Sequence, residues 1–489
     1  MLLKVKSLKL LTGKPVAILH KKTAKMLAVY PGERVRIRNK HSLVAIVDTV
    51  KGLLKENEIA LSSEVLEELN LFDGYAVDVS AEPPPKTSHY ILEKLNGNHL
   101  DYNKLFAIAG DIVHNALTET EIAYFVSGVY VHGMSDKELA DLTLAMVRSG
   151  RQLKLNDIVY DKHCIGGIAG NRTTPIIVSI CSSAGITMPK TSSRAITSAA
   201  GTADVIECLA KVEFPIEEIK KIIAKTTGCM VWGGALGLAP ADDKIIQVER
   251  VLSLDPEAQL IASILSKKIA VNAKGVVIDI PYGLSAKVKN LAEAKKLQSK
   301  FEKTAKFLKL NIQAVLTDGS QPIGNGVGPV LEMRDILAIL RREKSRPLDL
   351  EKKSVFLSGL VLEMAGKAKK GYGEKMALEI LESGRAFKKF KEIIEVQQGK
   401  IRELQPAKLS FSIKSDKSGK IVEIDNKKIA SVARASGCPS DKASGIYLHV
   451  HLGTKVSKNQ PIMEIYAETD DKLNFAKDVC KKLSPVKIK

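Results

Sequence analysis

The stretch Asp161-Lys-His-Cys-Ile-Gly-Gly-Ile-Ala-Gly-Asn-Arg-Thr-Thr-Pro175 decides the fold class of this chain. It follows the apolar residues 158–160 and precedes the apolar run 176–181, an order that predicts a strand, a glycine-rich loop and a helix. Thr174 is expected to cap the helix and Pro175 to occupy its first turn. Such a loop brings backbone N–H groups and the positive end of a helix to one point, which favours binding of an anion.

A second loop of the same kind follows about thirty residues later. It reads Thr191-Ser-Ser-Arg-Ala-Ile-Thr-Ser-Ala-Ala-Gly-Thr-Ala-Asp204 and lies between a short predicted strand, 186–190, and a helical pattern, 205–210. Two consecutive loops of this type meet at the carboxyl ends of parallel strands, where open α/β sheets bind ligands. The hydroxyl groups and Arg194 predict a phosphate site. Neither loop has the Gly-Lys-Ser/Thr ending of a P-loop or the spaced glycines of a dinucleotide site, which argues against P-loop nucleotide hydrolysis.

Length and composition indicate a globular protein that stays in the cytoplasm. The chain has 489 residues with 45% hydrophobic content, enough for roughly two to four domains. No apolar stretch reaches the roughly twenty residues that span a bilayer, so no membrane partner is expected. Lysines interrupt the first residues, which therefore predict an alternating strand and not a signal peptide. The six cysteines form no Cys-x-x-Cys pair, which argues against a zinc site or a disulfide framework.

The formal net charge of +19 raises the hypothesis of a basic nucleic-acid-binding protein without catalysis. The lysines, however, are spread along the chain, and aromatic residues make up only 5% of it. This distribution favours solvated helix faces, with attraction of phosphate and nucleotides as a secondary effect. No specific nucleic-acid partner is predicted.

Local patterns divide the chain into four parts. Short alternating runs come first, Pro83-Pro-Pro85 mark a stiff linker, and helical spacing follows, with Ser135 as a helix cap. The predicted parts are a β-rich, barrel-like domain over 1–82, a helical lobe over 86–150, an α/β phosphate-binding lobe over 155–400 and a β-rich C-terminal module over 406–489.

Several of these residues together resemble the signature of the thymidine and pyrimidine-nucleoside phosphorylases. They are Asp161-Lys162-His163, Gly166-Gly167, Ser193-Arg194, Gly201-Thr202-Ala203-Asp204 and Glu207. Residues 193–198 and 260–268 are more similar to the archaeal branch of the family, the AMP phosphorylases. The resemblance covers nearly the whole chain and implies an α/β fold. It also places residues from about 240 to 270 in the helical lobe, so that the helical and α/β lobes flank a central cleft.

The resemblance implies a glycosyltransferase of the pentosyltransferase class. Its substrates would be AMP and inorganic phosphate, its products adenine and ribose 1,5-bisphosphate, and CMP and UMP are further candidate substrates in nucleotide salvage or degradation. No cofactor and no metal are implied, and the protein is expected to be a homo-oligomer, at least a dimer. Two other hypotheses for the enzyme activity stay open. One is a nucleoside (thymidine or pyrimidine) phosphorylase, and the other is an anthranilate-type phosphoribosyltransferase, for whose magnesium no acidic cluster is evident.

The resemblance also assigns roles to individual positions. The catalytic positions match Asp255, as proton donor to the leaving base, and His163, beside the phosphate. The phosphate-binding positions match Lys162, Ser192 and Thr202. The positions that contact AMP match Gly167, Ser193, Arg194, Ala195, Ile196, Thr197, Ser198, Thr202, Ser263 and Lys287.

Several positions allow another role or depart from the pattern of the nucleoside enzymes. Asp255 precedes Pro256 and a helical pattern, so it could equally be an ionised helix cap, and Glu257 is a rival acid. Cys164 stands where the nucleoside enzymes carry serine. Val248 falls near the position of the arginine that holds the pyrimidine ring in those enzymes, so a pyrimidine-specific pocket is not expected. Lys287 stands where the nucleoside enzymes usually carry an apolar residue and suits a 5′-phosphate, while its polar neighbours also fit a solvated surface lysine.

Overall fold

The computed structural model describes residues 1–195, 198–252, 254 and 256–489, without the side chains of Ala235 and Leu252. The described residues form two compact units. The first consists of Met1–Gly150 and Ala239–Ser266, and the second of Arg151–Leu238 and Lys267–Lys489.

The described residues contain both strands and helices throughout the chain. The strands are β1 (Leu2–Ser7), β2 (Val16–His20), β3 (Arg34–Arg38), β4 (Ser42–Val50), β5 (Glu58–Leu61), β6 (Ala76–Glu82), β7 (Val159–Cys164), β8 (Met188–Ser192), β9 (Gly228–Trp232), β10 (Ala273–Tyr282), β11 (Asn311–Asp318), β12 (Gly326–Val327), β13 (Leu409–Lys414), β14 (Gly419–Ile424), β15 (Gly445–Leu448), β16 (Lys455–Val456), β17 (Pro461–Ala467) and β18 (Val486–Ile488). The helices are α1 (Lys21–Met26), α2 (Ser63–Glu68), α3 (Thr87–Leu95), α4 (Tyr102–Val113), α5 (Glu119–His132), α6 (Asp136–Arg148), α7 (Thr173–Ser183), α8 (Thr202–Ile206), α9 (Ile216–Thr226), α10 (Pro240–Leu252), α11 (Glu257–Ala270), α12 (Leu291–Leu308), α13 (Pro329–Leu340), α14 (Leu348–Met364), α15 (Gly373–Glu382), α16 (Arg385–Val396), α17 (Asn426–Ala435) and α18 (Asp470–Leu483), with a 3₁₀ turn over Gly233–Leu236.

The first unit begins with a closed barrel of six strands in the order β1-β5-β2-β4-β3-β6. The barrel follows from the period-two pattern: in β1, Leu3 and Val5 are buried and Lys4 is exposed. Helices α3 to α6 come next, and α10 packs on α4 and α5. The Ser135 side chain accepts the backbone N–H of Glu138, so the predicted cap of α6 is present.

The second unit is built on parallel strands. Strand β10 lies between β11 and β7, and β8 pairs with β9, all in parallel. A parallel bridge between Val159 and Thr187 joins the two groups, which gives the strand order β11-β10-β7-β8-β9. Helices α7 and α13 to α16 supply much of the apolar core that packs against this sheet. The loops after all five strands therefore start at the same edge of the sheet.

The C-terminal region differs from the predicted β-rich module in two ways. Helices α17 and α18 pack on each other there and contribute to the core of the region. Its four-stranded sheet, in the order β12-β15-β17-β13, also takes in β12, which precedes residue 406. The antiparallel pairing of β12 with β15 could not be read locally, since more than a hundred residues separate the two strands.

Two details of the first loop also differ from the prediction. Strand β7 continues to Cys164 because its last residues pair with β10 as far as Asp279, so the loop proper begins at Ile165. Helix α7 begins at Thr173, after an N-cap at Arg172 without a side-chain cap, so Thr174 is not the cap. Proline fits at any position of the first helical turn, because none of the first four N–H groups has an intrahelical partner. Pro175 therefore does not determine at which residue α7 begins.

All six cysteines are free thiols. Among the helices of the described residues, none is long and apolar enough to cross a membrane.

Candidate functional site

Strand β7 distributes its charged residues over both faces of the sheet. Successive side chains of a strand point to opposite faces, so Lys162 and Cys164 share one face and Asp161 and His163 the other. All four lie at the carboxyl end of the strand, where the first glycine-rich loop begins.

Lys162 is a buried cation with few partners. Its side chain is only 2% exposed. Its ammonium donates a 2.8 Å hydrogen bond to the Thr173 hydroxyl, at the start of α7. An ammonium carries three donors, and Thr173 is the one acceptor that the described part of the chain offers it. Burial lowers the pKa of Lys162, and Cys164 and Asp279 oppose this effect. A buried ammonium with spare donors beside a helix N-terminus is suited to an anion.

Asp161 binds two lysines on the opposite face. Its carboxylate lies 2.6 Å from the Lys268 ammonium and 3.4 Å from that of Lys190. Burial acts to raise the pKa of Asp161, but the two lysines hold it below its ordinary value. Burial and the same two cations lower the pKa of His163 well below its usual range. At neutral pH His163 is therefore an uncharged imidazole, which can donate or accept a hydrogen bond but cannot act as a cationic acid.

The first loop requires its glycines. Gly166 and Gly167 have φ of 90° and 89°, the left-handed region that glycine adopts freely. A Cβ atom on Gly167 would lie 2.6 Å from the backbone nitrogen of Lys287, so the loop packs directly on residue 287. The structure thus brings together two residues predicted to contact AMP, Gly167 and Lys287.

Arg172 connects the first loop to the second. Its guanidinium pairs with the buried Glu332, donates to the Ala200 carbonyl, and donates a 3.5 Å hydrogen bond to the Thr202 hydroxyl. Thr202, a predicted phosphate and AMP contact, is buried. The arginine was visible in the loop sequence, but its role depends on Glu332, which is distant in the chain.

Cys164 is also fixed by the first loop. The Asn171 amide donates a 3.2 Å hydrogen bond to its sulfur atom. Burial raises the pKa of Cys164 to about 11, so it is a neutral thiol at physiological pH. The side-chain oxygen of Asn171 is buried and has no hydrogen-bond partner among the described residues.

In the second loop Arg194 is bound by acidic side chains. It makes two 2.8 Å hydrogen bonds to Glu207, one of 2.8 Å to Glu213 and one of 3.3 Å to Asp204. Asp204 also accepts the backbone N–H groups of Ala195 and Gly201. In this conformation Arg194 therefore shapes the loop, and direct contact with AMP stays a prediction.

The other predicted residues of this loop are placed as follows. The Ser192 hydroxyl donates to the Val231 carbonyl at 3.3 Å and the Ser198 hydroxyl to the Ala200 carbonyl at 3.0 Å, while Ser193 is exposed. Ile196 and Thr197 lie outside the described residues.

The predicted residues of the first unit are only partly described. Ser263, on α11, donates a 2.8 Å hydrogen bond to Asp242 on α10. Val248 is buried on α10. Asp255, the predicted proton donor, lies outside the described residues, and Glu257 begins α11. No cluster of three or more metal-binding side chains occurs among the residues that were described.

Several charged residues around Lys162 and Asp161 were missed by sequence reasoning. They are Arg172, Lys190, Lys268, Asp279 and Lys353. A usable signal existed for Asp279, which stands in the apolar run Val276-Val-Ile-Asp-Ile280, where a charged residue is unusual unless it is paired.

Comparisons with known proteins match three segments of the chain to protein families. Residues 88–150 match the "Glycosyl transferase family, helical bundle domain", residues 156–387 the "Glycosyl transferase family, a/b domain" and residues 420–487 the "Pyrimidine nucleoside phosphorylase C-terminal domain". The chain is 40% identical over 491 residues to the AMP phosphorylase of Methanococcus aeolicus, covering 99% of this chain and 97% of that protein. The chain belongs to the family of the thymidine and AMP phosphorylases.

Other members of this phosphorylase family and one solved structure extend the comparison. The AMP phosphorylase of Pyrococcus furiosus is 40% identical over 490 residues, covering 99% of this chain and 97% of that protein. A protein named "Putative thymidine phosphorylase" from Legionella pneumophila (strain Corby) is 42% identical over 441 residues, covering 90% of this chain and 85% of that protein. The crystal structure of anthranilate phosphoribosyltransferase from Thermus thermophilus superposes with a TM-score of 0.54 at 16% identity, over 63% of this chain and 99% of that one. The last likeness shows a shared mixed α/β fold.

The buried ammonium predicts an effect of inorganic phosphate on stability. Phosphate should raise the melting temperature of the parent protein, because a ligand that binds only the folded state stabilises it by about 2.7 kcal/mol at a hundredfold excess over its Kd. Lys162→Met should abolish that increase and raise the melting temperature without phosphate, because an incompletely paired buried charge is removed. Lys295→Met, at an exposed position of α12, is the control and should behave like the parent. A full phosphate effect in Lys162→Met would place the anion elsewhere.

Proposed function

We propose that this protein is a nucleoside 5′-monophosphate phosphorylase that converts AMP and inorganic phosphate to adenine and ribose 1,5-bisphosphate. The observation that carries the proposal is the buried Lys162 ammonium, with donors left for an anion, in a chain that matches enzymes named AMP phosphorylase over nearly its full length. We further propose a cytoplasmic homo-oligomer, at least a dimer, that acts in nucleotide salvage or degradation.

The reaction needs a held anion next to the anomeric carbon of the ribose. An oxygen of phosphate forms a bond to C1′ while the bond from C1′ to the base nitrogen breaks, and the base leaves with the bonding electrons. In our proposal Lys162, Ser192 and Thr202 bind the phosphate, and Arg172 holds the Thr202 hydroxyl in place. The buried oxygen of Asn171 can accept the hydroxyl of hydrogen phosphate. The positive charge of Lys162 and the hydrogen bonds of the neutral side chains would orient the nucleophile before reaction.

The leaving base needs a proton, which we assign to Asp255. His163, as a neutral imidazole, would contribute a hydrogen bond to the phosphate or the ribose and not the proton for the base. A carboxylic acid must have a raised pKa to serve as general acid near neutral pH.

Nucleotide and nucleoside substrates differ in the 5′-phosphate, for which we propose Lys287. Its backbone packs against Gly167, so the lysine belongs to the loop cluster at the carboxyl edge of the sheet. Val248 is buried and offers no cation to a pyrimidine ring, which favours AMP over a pyrimidine-specific site, with CMP and UMP as further proposed substrates. The second candidate function, a nucleoside phosphorylase, would need no cation for a 5′-phosphate.

Phosphate dependence tests the reaction class. Adenine should be released from AMP only when phosphate or arsenate is present, because the held anion is the nucleophile. Adenine can be quantified by chromatography after incubation with and without phosphate. Equal release in phosphate-free buffer would indicate a hydrolase.

Asp255→Asn tests the proton donor. The substitution keeps the size of the side chain and its ability to cap a helix but removes the acidic proton, so turnover should fall by about a hundredfold or more. The melting temperature should change little. Glu257→Gln is the matched control, and a near-parent turnover of Asp255→Asn together with a large loss in Glu257→Gln would transfer the role to Glu257.

Lys287→Ala tests the choice between nucleotide and nucleoside. A charge-assisted contact to a 5′-phosphate contributes roughly 1.5–3 kcal/mol, so kcat/KM for AMP should fall about ten- to more than a hundredfold. Any activity on adenosine should stay nearly unchanged, as it lacks the phosphate. Lys289→Ala, two residues away and exposed, is the control and should affect neither substrate. Parallel losses with AMP and adenosine would contradict the proposed contact.

A further inference from the structure

A buried ion pair near Lys162 has no role in the reaction described so far. Asp279, on β10, is completely buried. One carboxylate oxygen accepts a 2.6 Å hydrogen bond from the Thr317 hydroxyl, and the other lies 3.0 Å from the ammonium of Lys353, on α14. Lys353 is itself 9% exposed. Such a pair is costly to desolvate and is weak evidence for stability alone.

The strand register places Asp279 next to the predicted phosphate site. Cys164 pairs with Asp279 and Lys162 with Val277 in the parallel ladder of β7 and β10. Paired residues of parallel strands point to the same face, and so do residues two apart on one strand. Asp279 and Lys162 therefore share a face, one strand and two residues apart, at strand spacings of about 4.8 Å and about 3.3 Å per residue.

The charges that face Lys162 come from three elements. Arg172 precedes α7 and Lys353 lies on α14, and both are cations. Asp279 on β10 is the anion, and Cys164 is a neutral thiol. Arg172 already has its own carboxylate, Glu332. Within the described residues no carboxylate forms an ion pair with Lys162, so Asp279 is the acidic group that balances its charge through space.

We propose that Asp279, fixed by Thr317 and Lys353, is a positioning residue that serves as the counter-charge of the Lys162 ammonium in the phosphate site. The inference rests on the proposed function and adds a residue to it. Asp279 does not touch the phosphate. It keeps Lys162 in the charged form that binds the anion, and Lys353 moderates this effect as a second cation.

The direction of the effect follows from the groups around Lys162. Burial lowers the pKa of Lys162, whereas Cys164 and Asp279 raise it, and Lys353 and Arg172 lower it. Of the two groups that raise it, Asp279 is the one that is charged near neutral pH, because Cys164 is a neutral thiol. Asp279→Asn keeps the size of the side chain and an oxygen acceptor for Thr317 but removes the charge, so Lys162 loses its proton at a lower pH. Lys353→Met removes the neighbouring cation, so Lys162 stays protonated to a higher pH. Neutral Lys162 binds phosphate weakly, and the KM for phosphate must therefore rise as the lysine deprotonates.

The test compares the KM for phosphate, with AMP as substrate, over a pH series that runs from mildly acidic to alkaline. In Asp279→Asn the alkaline rise of KM should begin about one pH unit lower than in the parent, and at the alkaline end KM should be about tenfold higher. In Lys353→Met the rise should move in the opposite direction. Near the acidic end the KM of both variants should stay close to that of the parent.

Glu138→Gln is the matched control, because it breaks another buried pair, in which Glu138 lies 2.9 Å from the Lys94 ammonium in the first unit. It should lower the melting temperature without moving the pH profile. The proposal is wrong if Asp279→Asn has the pH profile of the parent, or if both variants shift it in the same direction. If Asp279→Asn does not fold, Lys353→Met still tests the proposal, because a pH profile of KM in Lys353→Met that equals that of the parent would overturn it.

A binding measurement separates this inference from the proposed function. The increase in melting temperature that inorganic phosphate causes can be measured without turnover. As the pH is raised, this increase should disappear at a lower pH in Asp279→Asn than in the parent. A parent protein that binds phosphate but releases no adenine from AMP would contradict the proposed function alone. An unchanged pH dependence of phosphate binding in the variant would contradict the role of Asp279.

Discussion

The burial of the Lys162 ammonium is the constraint on which the rest of the site depends. A charge that leaves water must be paired or hydrogen-bonded, and Lys162 has only the hydroxyl of Thr173 among the described residues. The surrounding structure therefore has to supply negative charge. Asp279 supplies part of it permanently, and an anion bound at the glycine-rich loop would supply the rest.

The parallel sheet makes this arrangement possible. Strand β7 ends with two pairs of residues on opposite faces, and each face has a buried aspartate associated with lysines: Asp161 with Lys190 and Lys268, and Asp279 with Lys353. The first group keeps His163 neutral and the second faces Lys162. The backbone ladder fixes the register of β7 and β10, so it also fixes where Lys162 and Asp279 lie relative to each other along the two strands.

The part of the site that depends on local sequence could be predicted. The order of strand, loop and helix around residues 161–175 and the cap at Ser135 both follow from nearby residues. The end of β7 at Cys164 could not be predicted from nearby residues, because it is set by pairing with Asp279, more than a hundred residues away. The same holds for Arg172, whose partner Glu332 lies on α13, and for the carboxylates that bind Arg194. Helices α17 and α18 were missed because the alternating runs beside them dominated the pattern.

The most direct test is a crystal structure of the protein grown with inorganic phosphate. The account predicts a phosphate ion within hydrogen-bond distance of the Lys162 ammonium, next to Thr173 and Thr202, with Asp279 still paired to Lys353 and not in contact with the ion. A phosphate bound elsewhere, with Lys162 retaining only its hydrogen bond to Thr173, would contradict the claim that this buried ammonium holds the attacking anion.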